Sequence, residues 1–175
     1  MEASAGRPQG LIASTLTPAA FAPFGFVIQP QPDDAPWCPG DAVLQFGGGP
    51  PRLYLMTLPP RGLGFAELAR HRRVSQALGA IDDQAWFLVV ARPDHPAGRP
   101  FAPAADLHAF SIPPRRLVVL HPGTWHAGPL FAGPAERVFL NLESRTTNRD
   151  DRTVLAIGGR QRCVVDGDQE APGGH

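Results

Sequence analysis

The stretch LVVLHPGTWH, residues 117–126, decides how the rest of the chain is interpreted. Its first four residues are apolar and indicate a buried strand, Pro122-Gly123 turns the chain, and a second strand begins near His126. Small β-barrels enclose ligand cavities, and imidazole is both a common metal ligand and a general base. We therefore predict that His126 points into a barrel cavity.

The segments on both sides of this stretch predict further short strands between turns rich in Pro and Gly. These strands are expected at residues 11–16, 26–28, 52–58, 86–91, 107–112, 138–143 and 153–157. A short helix is expected after Thr17-Pro18, which are an N-cap residue and a Pro at the first helical position. A second helix is expected at residues 65–70, FAELAR, because the helix propensities there are good. This pattern indicates a mainly β fold, either a sandwich or a double-sheet jelly-roll barrel, with one or two short helices.

Length and composition limit the organisation of the chain. A chain of 175 residues has room for one domain, and 21 Pro and 19 Gly argue against a helix bundle. We expect a flexible N-terminus at residues 1–10, one domain at residues 11–160, and a C-terminal strand or flexible tail at residues 161–175.

The charge balance and the apolar runs argue against two classes of partner. Sixteen basic and sixteen acidic residues give a net charge of +0, whereas a nucleic-acid binder needs a basic excess. The longest apolar runs fall far short of the roughly 20 residues that span a bilayer, so no membrane partner is expected. Cys38 and Cys163 are far apart and are expected to be reduced thiols in a cytoplasmic protein.

Several short motifs, in a fixed order along most of the chain, resemble the ureidoglycolate lyase family. They are LTPAAFAPFGFVI at 16–28, ELARH at 67–71 with SQA at 75–77, TWH at 124–126 with LF at 130–131, FLNLE at 139–143, and Asn148. The resemblance implies a cupin-like double-stranded β-helix barrel that is often dimeric. It also implies cleavage of ureidoglycolate, a small carboxylate, into glyoxylate and urea during allantoin degradation in purine metabolism. Some family members are described as metal-dependent, and nickel is named.

The same motifs supply the candidate site residues. Residues 71–76 keep part of the spacing of the first cupin metal motif, and His126 occupies the His position of the second, so His71, Gln76 and His126 are the candidate metal ligands. For catalysis, His126 is the expected base, Gln76 is expected to orient the urea amide or the carboxylate, and Glu143 is expected to act as an acid or base or to hold an imidazole. The candidate substrate-binding residues are Arg70, Ser75 and Trp125, although Arg70 could instead face solvent and Trp125 could be a core aromatic residue.

The chain departs from the usual family pattern at three positions. Ala69 stands where an acid is usual, Ala127 where a second His is common, and Phe26 where an acid is usual. The three candidate ligands carry no negative charge and would hold a divalent cation weakly, so a site without any metal is equally expected. Two alternatives stay open: a cupin-type enzyme acting on another small carboxylate, and a non-catalytic ligand-binding cupin with a degenerate metal site.

Overall fold

The computed structural model describes residues 9–47, 49–96 and 98–164, and the expected flexible N-terminus therefore lies almost entirely outside the described residues. This part of the chain contains eleven strands and three helices. Each helix is four residues long. The strands are β1 (Gln9–Thr15), β2 (Gly25–Ile28), β3 (Pro51–Leu58), β4 (Gly64–Arg70), β5 (Gln76–Ala80), β6 (Trp86–Ala91), β7 (His108–Ile112), β8 (Leu117–Leu120), β9 (Trp125–Leu130), β10 (Arg137–Ser144) and β11 (Thr153–Val164). The helices are α1 (Pro18–Phe21), α2 (Pro103–Asp106) and α3 (Thr147–Asp150). The expectation of a mainly β barrel is confirmed, with three short helices instead of one or two.

The strands form two sheets. Six of them close into a barrel in the order β1-β11-β4-β9-β6-β7, and the other five form a sheet in the order β2-β8-β5-β10-β3. One face of the five-stranded sheet packs against β6 and β7 of the barrel, through residues such as Leu78 and Phe139 on one side and Leu88 and Phe110 on the other. A second apolar cluster lies on the other side of the barrel strands and includes Leu68, Val89 and Trp125.

Residues 65–70 form strand β4, so the predicted helix there is wrong. The strand pairs antiparallel with β11 over residues 67–70, and Ala69 pairs with His126 of β9. These inter-strand hydrogen bonds join residues far apart in the sequence, and they override a local helix propensity of a few tenths of a kcal/mol per residue. Over residues 67–70 the burial alternates as in a strand, because Leu68 and Arg70 are buried whereas Glu67 is exposed and Ala69 is only partly buried.

Strand β5 was not predicted from the sequence. It contains Gly79, a residue that weakens strand propensity. In the fold a Cβ added at Gly79 would lie 1.9 Å from Leu117 Cδ2 on the neighbouring strand β8, so a larger residue there would force the Leu117 side chain to move.

The remaining expectations concern α1, the cysteines and the membrane. The Thr17 side chain accepts a hydrogen bond from the Ala20 N–H and caps α1, as predicted. Cys38 and Cys163 are both free thiols, and burial raises the pKa of Cys163 to about 12. Among the helices in the described residues, none is long and apolar enough to cross a membrane.

Candidate active site

A cavity of about 620 Å³ lies between the two sheets. Strands β4, β9 and β11 supply the wall on the barrel side, and β3, β5 and β10 supply the opposite wall. Four of the candidate residues line this cavity: His71, Gln76, His126 and Glu143. The structure thus brings together side chains from four separate segments of the chain.

Two histidines face each other in the cavity. The ring centroids of His71, just after β4, and His126, on β9, are 5.5 Å apart. His71 Nδ1 lies 2.9 Å from the carbonyl oxygen of Asp151, and His126 Nδ1 lies 3.3 Å from that of Thr124. A carbonyl oxygen can only accept, so Nδ1 donates its hydrogen in both rings. In each ring, Nε2 is therefore the nitrogen with a free lone pair.

The environment of His126 keeps its imidazole neutral. Its pKa is lowered from 6.5 to about 4, first by burial, then by the neighbouring His71 and, more weakly, by Arg152, and the hydrogen bond to Thr124 opposes this only in part. A buried site disfavours the charged form of a base, and a second cationic group nearby adds to the effect. At neutral pH, His126 is therefore an unprotonated imidazole able to accept a proton.

Glu143 is the centre of a hydrogen-bond network on the opposite wall. Its side chain is 1% exposed and accepts hydrogen bonds from Tyr54 Oη at 3.3 Å, Gln76 Nε2 at 3.4 Å and Asn148 Nδ2 at 3.3 Å. Gln76 Nε2 also donates to Asn141 Oδ1 at 3.3 Å, and Asn141 Nδ2 donates to Tyr54 Oη at 2.9 Å. Burial, followed by the charge of Glu143, raises the pKa of Tyr54, so the phenol keeps its hydrogen at neutral pH.

Three arginines also line the cavity, and sequence reasoning missed all of them: Arg61, Arg152 and Arg160. Arg152 is close enough to His126 to contribute to its lowered pKa. None of the three forms an ion pair within the described part of the chain. Their guanidinium groups are therefore available to a carboxylate, which Arg recognises in a bidentate manner.

The three residues expected to bind substrate are not among those that line the cavity. Arg70 points to the other face of β4, and its guanidinium carbon lies 4.1 Å from the ring centroid of Trp125. Trp125 belongs to the apolar cluster of the barrel, as in the alternative of a core aromatic residue. Ser75 accepts a hydrogen bond from the Gln45 N–H, which attaches the preceding loop to β5. Alternation along the strands explains this placement, since each of the three directly precedes a residue that faces the cavity.

Two of the three departures from the family pattern lie in the cavity wall. Ala69 and Ala127 both line the cavity, and Ala69 is the cross-strand neighbour of His126. An acid at position 69 would lie beside the imidazole, whereas Ala69 leaves it without a carboxylate partner. Phe26 lies elsewhere, with its ring 5.1 Å from that of His121 beside a second cavity of about 590 Å³.

The donor set does not fit a tightly held catalytic metal. Such sites commonly use three protein ligands drawn from His, Cys and carboxylates. Within residues 9–47, 49–96 and 98–164, no group of three or more His, Cys, Asp or Glu side chains could hold a metal ion. His71 and His126 offer two nitrogens and Gln76 a neutral amide oxygen, while Glu143 already accepts three hydrogen bonds from neighbouring side chains.

Comparison with known proteins places the chain in a family. Residues 8–157 match the family model described as ureidoglycolate lyase, and a comparison with curated proteins found no matching relative. Among solved structures, the chain is similar to a dTDP sugar isomerase from Desulfovibrio desulfuricans G20, at 18% identity and a TM-score of 0.43, over 77% of this chain and 83% of that one. Nothing in these comparisons supports the alternatives of another small-carboxylate substrate or a non-catalytic role.

Proposed function

The chain belongs to the ureidoglycolate lyase family, whose reaction is the cleavage of ureidoglycolate to glyoxylate and urea, and we propose that this reaction takes place in the cavity between the two sheets. The observation that carries the proposal is the convergence of His71, Gln76, His126 and Glu143 in that cavity. The cavity also contains arginines for the substrate carboxylate.

The reaction moves one proton from oxygen to nitrogen. Ureidoglycolate carries a hydroxyl group and a ureido nitrogen on the same carbon. As the hydroxyl proton leaves, the C=O bond of glyoxylate forms, the C–N bond breaks, and urea departs once its nitrogen has received a proton. A base that accepts the hydroxyl proton can deliver it to the leaving nitrogen. The reaction therefore needs no separate acid.

His126 is the proposed base. Its Nε2 carries a free lone pair because Nδ1 donates to Thr124, and its pKa of about 4 keeps that lone pair available at neutral pH. Positioned acid–base groups typically contribute about 10²–10⁴-fold to the rate. His71, whose Nε2 is also free, is the proposed partner that receives or relays the same proton.

The two ends of the substrate require different partners. Arg152 lies near His126, and we assign the substrate carboxylate to its guanidinium group. Gln76, on the opposite wall, is assigned to the ureido group. Glu143 is assigned a positioning role, because its carboxylate accepts hydrogen bonds from three neighbouring side chains.

The test is the release of glyoxylate and urea from ureidoglycolate in equal amounts by the purified protein. His71→Gln and His126→Gln should each lower the rate by about 10²-fold or more, and Arg152→Gln should raise KM. His108→Gln is the matched control, because His108 is exposed on β7 and does not line the cavity. Parent protein that releases no glyoxylate would contradict the proposal, as would a control variant that loses as much activity as the cavity variants.

The same assay tests the metal that the family resemblance implies. Since no step above uses a metal ion, the rate should stay within about twofold after dialysis against EDTA and after nickel is added back. A rate that collapses with EDTA and returns with nickel would show that His71, Gln76 and His126 act as ligands.

We also propose that the protein is a cytoplasmic homodimer. The free thiols Cys38 and Cys163 are compatible with a reducing compartment. On edge strand β3, Leu53 and Leu55 are 66% and 59% exposed on the outer face of the five-stranded sheet, where a second copy could cover them. Sedimentation equilibrium of the parent and of a Leu53→Glu variant tests this assignment.

A further inference from the structure

The side-chain amide of Gln76 can adopt only one orientation that satisfies its neighbours. The Glu143 carboxylate can only accept hydrogen bonds, because it has no hydrogen to give. Tyr54 has a single hydroxyl hydrogen, and it donates this hydrogen to Glu143. Towards Asn141 the phenol oxygen can therefore only accept, which requires the NH₂ group of Asn141 to face Tyr54.

The orientation of Asn141 then determines that of Gln76. With its NH₂ group on Tyr54, Asn141 presents its Oδ1 to Gln76. Gln76 must therefore donate to this oxygen from its own NH₂ group, which also donates to Glu143. The reversed amide would place Gln76 Oε1 against two acceptor oxygens, at distances of 3.3 and 3.4 Å.

The consequence is a buried acceptor without a partner. Gln76 is 7% exposed, it lines the cavity, and its Oε1 has no hydrogen-bond partner among the described residues. Leaving a buried acceptor unpaired is unfavourable, and a ligand that brings an N–H group to it recovers that free energy. A site of this kind discriminates strongly against an analogue that lacks the hydrogen-bonding group.

We propose that Tyr54 and Asn141 are positioning residues that, together with Glu143, fix the Gln76 amide with its carbonyl oxygen as the unpaired acceptor and make the site selective for a terminal amide N–H. The inference rests on the proposed function, since it assigns the terminal NH₂ of the ureido group to Gln76. Register supports it, because Tyr54 on β3 and Asn141 on β10 are directly paired residues.

Two unreactive acids test the selectivity by direct binding. N-carbamoylglycine and N-acetylglycine share the carboxylate and the inner amide, and they differ only in a terminal NH₂ or CH₃ group. Isothermal titration calorimetry of the parent protein should show N-carbamoylglycine binding at least about tenfold more tightly. Gln76→Met should bring the two dissociation constants to within about twofold of each other, since it removes the acceptor.

The variants that test positioning are Tyr54→Phe and Asn141→Leu. Each weakens or removes the contact from Asn141 and leaves only Glu143 to orient the Gln76 amide, so the preference should fall to less than about threefold, while a merely structural role would weaken both ligands equally. Thr57→Val is the matched control, because Thr57 is exposed on the other face of the same strand, and it should keep the parent preference. Two positioning variants are used so that the test can still be made if one of them does not fold.

The outcomes separate this inference from the proposed function. The inference is overturned if the parent binds the two acids equally, or if both positioning variants keep the full preference. Either result overturns it even if ureidoglycolate is cleaved. A clear preference in a protein that does not cleave ureidoglycolate leaves the amide selectivity standing and removes the proposed reaction.

Discussion

The space between the two sheets is filled in two different ways. At one end aromatic rings pack against each other, with Trp86 and Phe139 at a centroid distance of 5.5 Å and Phe131 and Phe139 at 5.8 Å. At the other end lies the polar cavity. A single strand face supplies both ends, because Phe139, Asn141 and Glu143 follow one another at every second position of β10.

Stability and chemistry therefore depend on different positions of the same strands. On β5, Leu78 belongs to the apolar cluster, and Gln76, two residues earlier, holds the amide network. Substitutions at the two ends should therefore affect different properties of the protein.

The largest effect is expected at the polar end, on activity. His126→Ala removes the proposed base and should lower kcat by about 10²–10⁴-fold. The free energy of unfolding at neutral pH should change by less than about 1 kcal/mol, since the lost hydrogen bond to Thr124 is long. Glyoxylate release and urea denaturation of the same preparation measure both quantities. If the variant unfolds, His126 is a core residue and not the base.

At the apolar end the expected effect is on stability. Phe139→Ala should lower the free energy of unfolding by about 3–5 kcal/mol, because Phe139 is fully buried between Trp86 and Phe131. Val138→Ala, on the opposite and partly exposed face of β10, is the control and should cost clearly less. Urea denaturation measures both variants. A Phe139→Ala variant that is as stable as the control would refute the division between the two ends.

Much of the fold could be predicted because strand alternation and turn residues are local signals. The strand at residues 138–143 has a regular period of two, and β10 lies there. The family was likewise identified from the order of short motifs, and this identification is confirmed. Strand β4 could not be predicted, because its conformation depends on pairing with β11, which lies about 85 residues further along the chain.

The candidate site was predictable in part for the same reason. His71, Gln76, His126 and Glu143 lie within recognisable motifs, and all four line the cavity. Tyr54 and Asn141 acquire their roles through the register of β3 against β10, which no local pattern encodes. Arg160 lies within the register shift of β11 between residues 156 and 161, so alternation along that strand does not predict the direction of its side chain.

A smaller effect is expected from the protonation of His126. The folded protein lowers the pKa of His126 from an ordinary 6.5 to about 4. Between pH 4 and pH 6.5 His126 therefore binds a proton in the unfolded chain but not in the folded one. The free energy of unfolding should therefore fall as the pH is lowered through this range. Between pH 7.5 and 5 the fall from this group should be about 2 kcal/mol, and it should be absent in His126→Gln. Urea denaturation at both pH values measures it, and an identical fall in the variant would assign it to other groups.

The smallest effect concerns Ala69, the cross-strand neighbour of His126. In Ala69→Asp a carboxylate would lie beside the imidazole and stabilise its protonated form, which should raise the pKa of His126 by about one unit or more. The acid limb of the kcat/KM profile should move to higher pH by the same amount, because the neutral imidazole is the active base. Ala69→Asn keeps the shape without the charge and should leave the limb where it is in the parent. Equal shifts in both variants would mean that size acts at position 69, and no shift in either would mean that another group limits the rate at low pH. A shift in the Asp variant alone would show that the missing acid sets the working pH range of this cavity.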